Sequence, residues 1–353
     1  MDEAILKETA RALVAPGKGI LAADESEGTI KKRFETIGVE STEENRRFYR
    51  EILFTTLHVE EFISGVIMFD ETLHQEVPAI ESDKQGKPFA KILEEKGIIP
   101  GIKVDKGTKD MAGFPGEKIT EGLDGLRERF EEYKGLGARF SKWRAVITIG
   151  EGLPAQAGIP SQVCIDSNAE AQARFAALSQ EAGLVPIIEP EVLMDGGHDI
   201  KKCEEVTYQT LKSVFNALSR HKIFIPGALL KPNMVLPGKD NEKASPEQIA
   251  DLTLRIFKEV IPIDLPGIVF LSGGQAPDEA TANLNALNVK GEGPWQLSFS
   301  YSRALQEPVL KAWAGSEDNK DAAQKAFYKR ARLNSLARRA EYTPETEKEA
   351  DIG

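Results

Sequence analysis

Short apolar runs alternate with stretches of helical period along almost the whole chain. The runs fall at residues 19–23, 63–69, 98–104, 138–149, 184–192, 227–235, 267–271 and 296–301, starting roughly every 40 residues. Most are rich in Val, Ile, Leu and Phe, the composition of strands buried on both faces. Between them, 121–137 and 161–183 read as helices that end at glycine, and 199–222 as a helix that opens on Asp199. Ser245-Pro246 combines a capping residue with a proline at the first helical position. Such alternation builds a parallel sheet, either open or closed, and eight units favour closure into a (β/α)8 barrel. No Gly-x-Gly-x-x-Gly turn follows the first run, which counts against a dinucleotide fold. No linker interrupts the series. Residues 1–342 are therefore expected to form one barrel domain with a peripheral N-terminal helix, and 343–353 a polar, flexible tail.

Composition narrows the functions available. The chain has 353 residues, 41% hydrophobic and 29% charged, which is the balance of a globular protein. A formal net charge of −11 repels phosphate backbones and anionic lipid, so neither nucleic acid nor a membrane is an expected partner. No apolar run is long enough to span a bilayer. The first 15 residues carry acidic and basic side chains with no signal core. Cys164 and Cys203 lie in helical stretches and make no disulfide framework, while His58, His74, His198 and His221 lack metal-ligand spacing. A cytoplasmic protein that uses no metal is expected.

The candidate chemistry lies where the runs end. Run one ends at Asp24 and Ser26, run three at Lys103 and Asp105, and run four holds Lys142 and Arg144. Run five holds Glu189 and Glu191, run six Lys231, and run eight leads to Ser300, Ser302 and Arg303. Residues two apart share a face of a strand, so Lys142 points with Arg144 and Glu189 with Glu191. Any one of these could be a solvated strand end. As a set they converge on the C-terminal mouth, where barrel enzymes do their chemistry and where unpaired charge is costly. Ser272-Gly273-Gly274 and Arg303 form a candidate anion site after runs seven and eight, although two adjacent glycines can also be a plain turn. Ser26, Thr29, Arg33 and Lys103 form a second candidate, although Ser26 or Thr29 could simply cap the following helix. A sugar bisphosphate needs an anion site on each side of the mouth.

A lysine amine is a nucleophile only when neutral. Free lysine titrates near ~10.4, whereas Schiff-base chemistry works best nearer ~7–8. Burial and a neighbouring cation both favour the neutral amine. Lys231 sits in an apolar stretch and Lys142 lies two strands away, with Glu189 on the strand between. Spacing favours Lys231 without deciding between the two lysines.

Several motifs are longer than chance allows. Ala15-Pro-Gly-Lys-Gly-Ile-Leu-Ala-Ala-Asp-Glu-Ser26, Gly101-Ile-Lys-Val-Asp-Lys-Gly107 and Lys142-Trp-Arg144 occur in order. Pro186-Ile-Ile-Glu-Pro-Glu191, Leu229-Leu-Lys-Pro-Asn-Met234 and Phe270-Leu-Ser-Gly-Gly-Gln275 follow them. With Thr42-Glu-Glu-Asn-Arg-Arg-Phe-Tyr49 and Ser298-Phe-Ser-Tyr301, the chain resembles class I fructose-bisphosphate aldolase from about residue 10 to about 342. The resemblance implies a (β/α)8 barrel that splits fructose 1,6-bisphosphate into dihydroxyacetone phosphate and glyceraldehyde 3-phosphate, in glycolysis and gluconeogenesis. It implies Lys231 as the Schiff-base lysine and Glu189 as the acid/base that dehydrates the carbinolamine. Asp24 would be the base for the C4 hydroxyl, and Lys142 the cation that keeps the amine poised. Ser272, Gly273, Gly274, Ser300 and Arg303 resemble the C1-phosphate site, and Ser26, Thr29, Arg33 and Lys103 the C6-phosphate site. Arg144 belongs with the substrate-binding set. No metal or other cofactor is implied, the partners are phosphorylated ketoses and trioses, and a homo-oligomer, often a tetramer, is expected.

Three departures stand out. Ser302 occupies a position where many relatives have Gly, and Thr29 replaces a common Ser. No tyrosine lies beyond Tyr342, whereas animal members end in one, so the last residues are not expected to carry a step of turnover. The rival readings are another Schiff-base barrel enzyme, such as a transaldolase or a single-phosphate aldolase, and a non-catalytic binding scaffold. Two anion sites argue against the first rival, and a full set of catalytic side chains against the second.

Overall fold

Each of the eight apolar runs becomes one stave of a closed, parallel barrel. The computed structural model describes residues 1–78, 86–150, 158–291 and 293–349. The staves are β1 (Gly19–Ala23), β2 (Ile63–Met68), β3 (Ile99–Lys103), β4 (Phe140–Ile147), β5 (Val185–Val192), β6 (Leu229–Leu230), β7 (Gly267–Phe270) and β8 (Gln296–Tyr301). Every stave pairs in parallel with its sequence neighbours, and β8 closes on β1 through Ile20–Ser300 and Leu21–Tyr301. Helices fill the crossovers, as parallel pairing requires. Two of them start at the expected caps, Asp199 accepting from Lys202 N and Ser245 from Gln248 N, and a third is capped by Ser161, which accepts from Cys164 N.

Three expectations need correction. The helix of the third crossover begins at Leu126 rather than near 121, because Lys118–Thr120 pairs with Thr108–Asp110 in a small ribbon. Run six yields only two paired strand residues, since Pro232 has no N–H to continue the ladder. Beyond residue 342 the expected flexible tail holds a short helix, Pro344–Glu349, which Glu347 ties to Arg330 and to the Tyr342 hydroxyl. Residues 350–353 lie outside the described residues.

Inward-facing positions change character along each stave. The base of the barrel holds Ile20, Ala22, Ile67, Phe140, Val185, Ile187, Leu229 and Val269. The helix Glu3–Leu13 closes that end, with Leu6, Ala10, Leu13 and Val14 joining the same cluster. Two residues further along the same faces the side chains become charged: Ala22 leads to Asp24, Phe140 to Lys142, Ile187 to Glu189 and Leu229 to Lys231. The period-2 geometry of a strand thus converts an apolar floor into a charged mouth with no change of face.

Phe140 fills the floor where the backbone of β3 comes close. A Cβ on Gly101 would stand 2.3 Å from the Phe140 ring. Gly101→Ala should therefore lower stability by about 1–3 kcal/mol, read from the urea unfolding midpoint. An unchanged midpoint would show that the ring can yield.

Candidate active site

The mouth opens into a cavity of about 1190 Å³. Every residue singled out from the sequence lines it except Gly274, which lies beside it with its Cβ position 3.2 Å from Arg303 Nη2.

At its centre one carboxylate joins two lysines. Glu189 Oε1 lies 3.1 Å from Lys231 Nζ, and Glu189 Oε2 lies 3.0 Å from Lys142 Nζ. Lys142 also reaches Asp24 at 2.8 Å and Asp105 at 3.8 Å. All five side chains are largely buried, so the strand order that puts β5 between β4 and β6 decides which charges meet. The backbone holds Lys231 from both sides. Its N–H donates to Ile188 O at 2.8 Å, and Pro232 O accepts from Leu271 N at 3.1 Å. Asn233 takes over where Pro232 cannot pair, accepting from Val192 N and donating to Thr207 Oγ1.

The surroundings set the charge states. Burial pushes the Lys142 ammonium towards neutrality, but Asp24, Glu189 and Asp105 outweigh it and raise its pKa, so Lys142 stays cationic. Burial would raise the Asp24 carboxyl, but Lys142, Lys231 and Lys103 hold it well below the usual carboxylate range. On the wall, Arg144 pairs with Glu191, and Lys103 contacts Asp105 at 2.8 Å. Among the described residues Lys142 thus has three carboxylates within 4 Å and Lys231 has Glu189, with Asp24 acting on it from farther away.

The rim carries anion-binding groups. Gly273 and Gly274 both adopt positive φ, at 59° and 94°, so this loop turns through conformations that a β-carbon would strain. Ser300 is 1% exposed and its hydroxyl has no partner among the described residues. A buried, unpaired donor of this kind is unusual and marks a place for a ligand. Ser26 and Thr29 stand on the wall with their hydroxyls 3.1 Å apart.

A network with no role foreseen from sequence braces this rim. Glu25 is buried and accepts from Arg33, Arg50, Ser302 and Gln306. Burial would raise its carboxyl, but Arg33 and Arg50 overcome this and lower it. Arg50 sits on the buried face of its helix beside Tyr49, Leu53 and Phe54, and a basic residue on such a face was the one available signal. Because β1 neighbours β8, Arg33 contacts Ser302 at 3.0 Å, while Lys103 extends from the end of β3.

Among the described residues no group of His, Cys, Asp and Glu has the arrangement of a metal site, and no helix is long and apolar enough to cross a membrane.

Comparison with known proteins converges on one family. The family model for class I fructose-bisphosphate aldolase, the glycolytic group, matches residues 5–352. A probable class 1 fructose-bisphosphate aldolase from Xanthomonas campestris is 55% identical over 334 residues, covering 94% of this chain and 96% of the relative. Cytosolic fructose-bisphosphate aldolase 4 of Arabidopsis thaliana is 54% identical over 324 residues, covering 91% of this chain and 79% of the relative. In structure the chain resembles a fructose-bisphosphate aldolase from Plasmodium falciparum, solved with TRAP and a small-molecule inhibitor. That match has a TM-score of 0.92 and 46% identity, covering 97% of this chain and 96% of the other.

The depressed Asp24 carboxyl makes a prediction about acid. Its folded pKa lies below the unfolded value of 3.8, so its contribution is present above that value and is lost as pH falls below it. The stability difference between wild type and Asp24→Asn, from urea unfolding, should stay level from about pH 7 to about pH 5 and shrink below about pH 4. A difference that stays constant to about pH 3 would remove the charge interaction from the account.

Proposed function

The chain belongs to the class I fructose-bisphosphate aldolase family, and from that membership we propose how its own residues carry the reaction. The reaction is the reversible aldol cleavage of fructose 1,6-bisphosphate to dihydroxyacetone phosphate and glyceraldehyde 3-phosphate through a lysine Schiff base, as used in glycolysis and gluconeogenesis.

Lys231 is the nucleophile. The observation that supports this most directly is Glu189, which lies within 3.1 Å of Lys231 and 3.0 Å of Lys142. Lys142 is held as an ammonium and cannot attack a carbonyl, whereas Lys231 can pass a proton to Glu189. The Lys231 amine adds to the C2 carbonyl and gives a carbinolamine. Glu189 returns a proton to the departing hydroxyl, water leaves, and a protonated imine remains.

Asp24 accepts the C4 hydroxyl proton. Its pairing with Lys142 makes it a weak base, so transfer accompanies bond breaking, when the hydroxyl is becoming an aldehyde and its acidity rises. The C3–C4 electron pair moves into the iminium and leaves an enamine on Lys231, while glyceraldehyde 3-phosphate departs. Protonation at C3 and addition of water to C2 release dihydroxyacetone phosphate and restore the amine. The imine is the electron sink throughout, so neither a metal nor another cofactor is required. Lys142 offsets the negative charge of the bound ligand, and Arg144 flanks the same wall.

Ser272, Gly273, Gly274, Ser300 and Arg303 take the C1 phosphate, with the unpaired Ser300 hydroxyl as one donor. Ser26, Thr29, Arg33 and Lys103 take the C6 phosphate. The chain works in the cytoplasm, as the cytosolic naming of the Arabidopsis relative supports. By resemblance, the working form is a homo-oligomer.

Borohydride reduction in the presence of dihydroxyacetone phosphate, followed by peptide mass spectrometry, tests these roles. The adduct is expected on Lys231 with and without chelator, and Lys231→Met should show none. Glu189→Gln should lower kcat by about 10²-fold or more. An adduct on Lys142 would reverse the two lysine roles, and activity lost to chelator would refute the metal-free mechanism.

A further inference from the structure

Three serine hydroxyls stand where β7 and β8 meet the cavity, and they are not equivalent. A serine hydroxyl has one proton and two lone pairs. At Ser302 all three are spent inside the protein. Its proton goes to Glu25 Oε1, and its oxygen accepts from Arg33 Nη1 at 3.0 Å and from Gln306 Nε2 at 3.1 Å. The Ser300 hydroxyl, by contrast, has no partner among the described residues. Ser302 therefore stands among the anion-binding groups yet can donate nothing to a phosphate without giving up Glu25.

We propose that Ser302 is a positioning residue: its hydroxyl aims Arg33 into the cavity and thereby sets the preference for a sugar carrying a second phosphate. This rests on the reading that Arg33 belongs to the C6-phosphate site. Arg33 spends Nη1 on two acceptors, Glu25 and Ser302, which fixes the plane of the guanidinium. Its Nε and Nη2 donors remain for a ligand, and the side chain is 17% exposed on the cavity wall. Glu25 cannot follow Arg33 outward, because Arg50 and Gln306 hold it from behind, and Gln306 is itself anchored to Ala22 O at 2.7 Å. With the hydroxyl removed, Arg33 keeps one acceptor and can rotate about it. Glu25 keeps three of its four donors, so the carboxylate stays satisfied. The backbone of Ser302 lies at φ −106°, ψ −82°, outside the regular helical region for serine and alanine alike, so the substitution adds no new backbone demand, and its carbonyl still accepts from Leu305 N and Gln306 N.

The test compares kcat and KM for fructose 1,6-bisphosphate and fructose 1-phosphate in wild type, Ser302→Ala, Ser302→Thr, Arg33→Ala and the Ser302→Ala/Arg33→Ala pair. Ser302→Ala should lower the bisphosphate-to-monophosphate ratio of kcat/KM by about tenfold, the loss of one hydrogen bond to a charged group at the low end of its range, and mainly through KM for the bisphosphate. Ser302→Thr should restore most of the ratio. In the Arg33→Ala background, Ser302→Ala should change the ratio no further. Ser302→Gly also removes the hydroxyl and serves if the alanine variant is unstable. If Arg33→Ala lowers the ratio and neither Ser302 variant does, the positioning role is overturned while the C6-phosphate site stands. If Arg33→Ala leaves the ratio unchanged, the assignment of Arg33 falls and this role falls with it.

Discussion

Two buried lysine side chains share the Glu189 carboxylate, and the rest of the site is arranged around that contact. Buried charge is tolerated only when paired, and removing one partner of such a pair typically costs about 3–5 kcal/mol. Here the pairing is unequal. Lys142 is surrounded by Asp24, Asp105 and Glu189, while Lys231 touches Glu189 alone. The inequality holds Lys142 as a cation. It also places Glu189 between the two lysines, so the proposed nucleophile, its proposed acid/base partner and the flanking cation occupy three adjacent staves.

That contact stands above an apolar floor in a closed barrel. The Glu3–Leu13 helix covers the base with Leu6, Ala10, Leu13 and Val14, which pack with Ile20, Ala22, Ile67, Phe140, Val185, Ile187, Leu229 and Val269. The charged mouth begins one step of the pleat further up four of the staves, at Asp24, Lys142, Glu189 and Lys231. An apolar floor keeps the electrostatic terms at the mouth strong, and a closed sheet keeps the staves from shifting relative to one another. Rigid backbone anchors at Ile188, Pro232 and Asn233 then hold Lys231 at the one stave where the regular ladder gives out.

The rim meets a different demand under the proposed function, that of binding anions in a chain with a net charge of −11. It does so locally, with glycine turns, an unpartnered hydroxyl at Ser300 and guanidinium groups braced from behind. Glu25 is the brace. Four donors converge on it, and two of them, Arg50 and Gln306, come from the helices Glu43–Thr55 and Arg303–Trp313. Such a network fixes Arg33 without neutralising all of its donors, which is what a recognition site for phosphate needs.

Much of this was legible in the chain before any tertiary structure was known. Short apolar runs placed all eight staves, helical period placed the segments between them, and Asp199 and Ser245 marked two helix caps, because these signals follow from local backbone geometry. The charged strand ends pointed to the mouth, since a strand's inner face has nowhere else to put Lys142, Glu189 or Lys231. What the sequence could not order was which charge meets which. Spacing favoured Lys231 and already set Glu189 on the strand between the two lysines; strand adjacency added that Asp24 and Asp105 stand beside Lys142. Glu25, Arg50 and Gln306 showed no common pattern, being 25 residues apart at the nearest and more than 250 at the farthest. Local periodicity determines which elements form and which face of each is apolar. Only barrel closure, which brings residues from distant parts of the chain to within 3 Å of one another, decides the charge states and partners on which the chemistry turns.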